Sequence, residues 1–116
     1  MNNLVWAYLG DAVYELYVRE YLINKGISKV KELQRTSVDY VSAKKQAQIL
    51  DSLIANDFFS EEEIDIIKRG RNAHSHSSKS TDIISYKKST GLEALIGYLY
   101  TNDKNRLEEV MKEILK

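Results

Sequence analysis

Tyr8-Leu9-Gly10-Asp11-Ala12-Val13-Tyr14-Glu15 lies inside a run, Leu4 to Ile23, in which nearly every position is apolar or aromatic. A helix that is apolar on all sides belongs inside a fold, so this run reads as a buried helix. One polar stripe interrupts it. Asp11, Glu15 and Arg19 follow at i, i+4 and i+8 and share a face. Burying a carboxylate costs on the order of several kcal/mol unless a cation or metal compensates it. Two readings fit: either Arg19 pairs with Glu15 while Asp11 caps or faces water, or Asp11 and Glu15 face a metal in a cleft.

Composition supports an all-α fold. The 116 residues contain no proline, five glycines and much Leu, Ile, Lys and Glu, a mixture that favours helix. The length suits one domain, residues 1–116, large enough to bury a core. No cysteine is present, which excludes a disulfide framework and a thiolate zinc site. Seventeen basic and seventeen acidic side chains cancel, so a nucleic-acid partner must be argued from where charges lie. No uncharged apolar run reaches the roughly 18–20 residues of a spanning helix, and no basic-then-apolar signal opens the chain. The expectation is a soluble cytoplasmic protein without a membrane partner.

Along the chain, Asn2 or Asn3 can cap the first helix, and Lys25-Gly26 supplies a cation and a glycine stop. Ser28 can cap a short second helix through Arg35. Thr36 and Ser37 offer a third start, from which Val38, Val41, Ala47, Leu50, Leu53 and Ile54 keep a helical period to Ala55. Ser60-Glu61-Glu62-Glu63 matches a capping box, and the helix it opens runs into Lys68-Arg69-Gly70-Arg71. Asn72 to Lys79 reads as a loop and Asp82 to Tyr86 as one short turn. A fifth helix covers Lys87 to Tyr100, with Leu92, Leu95, Ile96 and Leu99 on its core face, and Asn102 or Asp103 caps the last.

Charge is uneven. Between Lys68 and Lys88 stand six basic side chains against the single acid Asp82. Cations suit a helix C-terminus, but Lys68, Arg69, Arg71, Asn72, His74, His76 and Lys79 also make a candidate phosphate-binding rim. His74 and His76 at i, i+2 do not share a helical face, which argues against zinc.

Glu93 is the second informative carboxylate. It stands among Thr90, Gly91, Ala94 and Gly97. Glycine inside a helix costs roughly 0.5–1 kcal/mol relative to Ala, a cost that usually marks another backbone passing close by. If the first and fifth helices cross near Gly10 and Gly97, Asp11 and Glu93 point into one space. Converging carboxylates suit Mg²⁺.

The Tyr8–Glu15 stretch resembles the signature helix of ribonuclease III, and Glu93-Ala94-Leu95-Ile96-Gly97 resembles that family's second signature, in the family's order and at about its spacing. Tyr40-Val41-Ser42-Ala43-Lys44, Arg69-Gly70-Arg71-Asn72-Ala73 and Ser89-Thr90-Gly91-Leu92-Glu93 are similar to the Mini-III branch, which lacks a double-stranded-RNA-binding domain.

The resemblance implies a bundle of about six to seven helices, homodimeric, that cuts double-stranded RNA with Mg²⁺ to leave 5′-phosphates and 3′-hydroxyls. In this branch the substrate is precursor large-subunit (23S) ribosomal RNA. It makes Asp11 the catalytic, metal-binding aspartate and Glu93 the glutamate on the same ion, with Glu15 as a possible supporting acid. Larger ribonucleases III carry acids where this chain has Ala7 and Thr90, so four acids become two. Two other classes fit the sequence: a helical dimer that binds duplex RNA without cutting it, and a helical metal-dependent nucleotide pyrophosphatase.

Overall fold

A computed structural model describes residues 2–73 and 82–116, which form six helices and no strand. These are α1 (Asn3–Asn24), α2 (Val30–Val41), α3 (Ala43–Ala55), α4 (Glu61–Asn72), α5 (Ile83–Asn102) and α6 (Lys104–Ile114). The all-α class and the helix number agree with expectation.

Local chemistry sets the boundaries. Asn2 caps α1 by accepting the Val5 N–H at 2.9 Å, and Gly26 follows its end at φ 98°, a left-handed conformation that side chains disfavour. The expected start at Thr36 or Ser37 is not a break. The Ser37 hydroxyl donates to the Gln34 carbonyl at 2.9 Å within a continuing helix, and the chain turns instead at Ser42, which accepts the Lys45 N–H. Lys29, not Ser28, precedes α2, without a side-chain cap. The turn expected from Asp82 to Tyr86 is the first turn of α5, because Asp82 accepts the Ser85 N–H at 3.0 Å and starts the helix one turn earlier.

The capping box of α4 is formed in both directions, Ser60 to Glu63. Glu63 is also gripped by two bonds from Arg106 of α6, at 2.8 and 2.9 Å. Burial alone would push the Glu63 carboxyl up. The Arg106 hydrogen bonds and the Ser60 N–H outweigh it and hold the group below the usual carboxylate range.

The helix enclosed by the others is α5, not α1. It packs against α1, α3, α4 and α6, and from Ser89 to Leu99 only Glu93 and Tyr98 keep partial exposure. α1 buries one face, including Val13, Tyr14, Val18 and Leu22, but leaves Val5, Tyr8, Leu16 and Ile23 open, Tyr8 at 84% and Leu16 at 56% exposure. The all-round apolar character of α1 thus serves two faces, of which this chain covers one. Trp6 packs edge-on against Tyr98, and the buried Tyr14 donates its hydroxyl to the Tyr40 carbonyl at 2.7 Å.

α1 and α5 meet backbone to backbone. A Cβ on Gly10 would lie 1.8 Å from the carbonyl oxygen of Glu93, and one on Gly97 would lie 1.9 Å from that of Trp6. Only residues without a Cβ fit this crossing. No helix among the described residues is long and apolar enough to cross a membrane.

Candidate active site

The crossing carries Asp11 and Glu93 with it. Asp11 follows Gly10 directly, and Glu93 is the residue whose own carbonyl abuts Gly10. Both side chains line a cleft of about 360 Å³ between α1, α3 and α5, together with Ala7, Tyr8, Gln46 and Thr90. Asp11 is exposed at its lip; Glu93 is partly buried. No lysine or arginine among the described residues lines this cleft.

The two carboxyls interact. Burial pushes Glu93 up to about 8, and the charge of Asp11 and a hydrogen bond with it push the same way. A bond from Gln46 opposes them, and Glu15 adds a smaller repulsion. The sign of the consequence is fixed by linkage. A free glutamate gives up its proton near about 4.3, so the unfolded chain releases this proton over a range where the folded chain keeps it. Stability from the protonated group is complete below that value and drains away as pH rises to about 8. The metal-free protein is therefore expected to lose melting temperature as pH rises through this window. In Glu93→Gln the slope should flatten, and thermal melts in a chelator at several pH values check it.

Glu15 is not among the residues that line the cleft. Its carboxylate takes the Arg19 guanidinium at 2.9 Å, as the simpler reading of that stripe expects. No group of three or more His, Asp or Glu side chains able to hold a metal exists among the described residues, consistent with Ala7 and Thr90 replacing acids. The Thr90 hydroxyl is tied to its own helix through the Tyr86 carbonyl at 3.0 Å.

Lys68, Arg69, Arg71 and Asn72 occupy the end of α4. Gly70 is pressed against Gly91 and the Thr90 carbonyl, which fixes this basic segment against the turn of α5 that supplies the cleft. Lys68 and Arg71 border a separate cavity of about 370 Å³ with Lys88. Arg69 reaches Asp65 at 3.4 Å, and Lys88 reaches Asp51 at 2.9 Å. His74, His76 and Lys79 lie outside the described residues.

Sequence reasoning missed Gln46. It is 1% exposed and donates from Nε2 to Glu93 Oε2 at 3.4 Å. A signal was present: Gln46, Leu50 and Leu53 fall at i, i+4 and i+7, so an amide sits on the apolar face of α3.

Comparison with known proteins places this geometry in context. The Ribonuclease III domain model matches residues 4–104. Mini-ribonuclease 3 of Enterococcus faecalis is 45% identical, over 100% of this chain and 89% of that protein. Mini-ribonuclease 3 of Staphylococcus aureus is 48% identical, over 99% and 87%. A crystal structure of a protein from Fusobacterium nucleatum superposes with a TM-score of 0.84 at 31% identity, covering 96% of this chain and 90% of that one.

Proposed function

We propose that this chain, which belongs to the ribonuclease III family and is an endoribonuclease, hydrolyses duplex RNA with a Mg²⁺ ion held by Asp11 and Glu93. The observation that carries the metal reading is the donor set: two carboxylates pressed together in one cleft, without a basic side chain among the described residues that line it. Hard oxygens without a neutralising cation suit Mg²⁺, which binds through one or two carboxylates plus water and phosphate oxygens.

A bound ion would polarise the phosphodiester, activate water and steady the leaving oxygen. The chain's own residues do the rest. Asp11, at the lip, stands where a duplex can reach it; Glu93, deeper and wedged by the glycine crossing, gives the pair a rigid floor. With Ala7 and Thr90 in place of acids, more of the coordination falls to water and RNA phosphates, which favours one ion over two. Lys68, Arg69, Arg71 and Asn72 would meet the backbone of an A-form duplex, which is recognised through shape, hydroxyls and phosphates.

The exposed stripe of α1 supports a homodimer, in which each subunit cuts one strand. Val5, Tyr8, Ala12, Leu16 and Ile23 fall at i, i+3, i+7, i+11 and i+18, all exposed. A second copy related by a two-fold axis would bury this stripe against itself. Leu16→Glu is expected to sediment as a monomer where the parent sediments as a dimer. A parent chain that is monomeric at micromolar concentration would remove this part of the reading.

The natural substrate we propose is precursor 23S ribosomal RNA, processed in the cytoplasm. A transcript of its paired ends left intact by active enzyme would overturn that choice. The main experiment incubates the protein with duplex RNA and, separately, with nucleoside triphosphates, each with and without Mg²⁺. Mg²⁺-dependent cutting of the duplex alone is expected. Binding without cutting, or release of pyrophosphate, would reject it.

A further inference from the structure

We propose that Gln46 is a positioning residue that holds the Glu93 carboxylate in its metal-binding orientation from the opposite wall of the cleft. The inference rests on the Asp11–Glu93 reading of the site. Gln46 stands on the buried face of α3, in register with Leu50 and Leu53, a face otherwise made of apolar side chains. A buried amide is costly unless its polar atoms are satisfied, so its presence there calls for a partner. That partner is Glu93: Gln46 Nε2 donates to Glu93 Oε2 at 3.4 Å, joining helices far apart in sequence.

The chemistry of the donor matters. A lysine or arginine in this position would orient Glu93 but also cancel the charge a cation needs. An amide N–H orients the carboxylate while leaving its charge in place. Carboxylates that bind metals are themselves held by such hydrogen bonds, and losing the partner costs about 10–100-fold in metal affinity. In a site with two acids, each carboxylate's orientation carries a larger share of the coordination.

The test uses the full chain and Mn²⁺ as the probe, with free ion followed by electron paramagnetic resonance. The parent, Gln46→Leu, Gln46→Met and Asp11→Asn are titrated. kcat and KM for duplex RNA are then measured at saturating metal. Both Gln46 variants are expected to bind Mn²⁺ roughly tenfold more weakly, with KM for RNA nearly unchanged. Gln46→Met keeps the length of the side chain and serves if Gln46→Leu does not fold. Parental Mn²⁺ affinity in a folded Gln46 variant, alongside weakened binding by Asp11→Asn, overturns the role of Gln46 and leaves the metal site standing. Parental affinity in Asp11→Asn overturns the site itself, and this proposal with it.

Discussion

Asp11→Asn is expected to lower kcat/KM for duplex RNA at least about a thousandfold without destabilising the fold. Asp11 is exposed at the lip of the cleft, and asparagine has nearly its shape, so no packing is lost. What changes is charge. A metal's stabilisation of a reacting phosphodiester amounts to several kcal/mol, and every 1.36 kcal/mol is about tenfold in rate. Loss of about 4 kcal/mol therefore accounts for the thousandfold. Stability should move the other way. The Asp11 charge is one of the causes that raise Glu93, so its removal relieves a repulsion and lets Glu93 ionise more readily in the metal-free protein. Rising or unchanged melting temperature together with lost cutting marks a functional residue held at a structural cost. If Asp11→Asn melts well below the parent, or cuts at the parental rate, the aspartate has a structural role or none.

Much of this site was legible in the sequence, for reasons that differ between residues. The crossing was legible because two glycines inside strongly helical stretches, Gly10 and Gly97, carry a propensity cost that only a close neighbour explains. The pairing of Glu15 with Arg19 was legible as an i, i+4 contact. The enclosed helix was misread, because α1 and α5 are both apolar on most sides and periodicity cannot say whether the covering surface belongs to the same chain or another. The break between α2 and α3 was misplaced for a similar reason. Thr36, Ser37 and Ser42 are all competent caps, and it is Ser42 that accepts the N–H three residues on. Gln46 escaped notice because a polar residue on an apolar face is ambiguous until its partner, distant in sequence, is seen.

The glycine crossing makes a second large effect calculable. In Gly97→Ala the new Cβ would sit 1.9 Å from the Trp6 carbonyl oxygen, 2.9 Å from its carbon and 3.0 Å from the Gly10 nitrogen. All three are backbone atoms of α1, so no side chain can swing aside; the two helices must part. Alanine's better helix propensity returns only about 0.5–1 kcal/mol. Overpacking a core typically costs about 1–3 kcal/mol and more where nothing can yield, so a net loss near about 3 kcal/mol is expected. For a domain of this length that is a fall of about 10 °C or more in melting temperature. Activity should fall further than stability explains. Parting α1 from α5 widens the gap between Asp11 and Glu93, which stand on either side of that contact. Assayed well below its melting temperature, folded Gly97→Ala should still cut duplex RNA far more slowly than the parent, and excess Mg²⁺ should not restore it. A Gly97→Ala protein that melts with the parent and cuts at its rate would mean that the helices do not touch here, and that the two acids are not held together by this crossing.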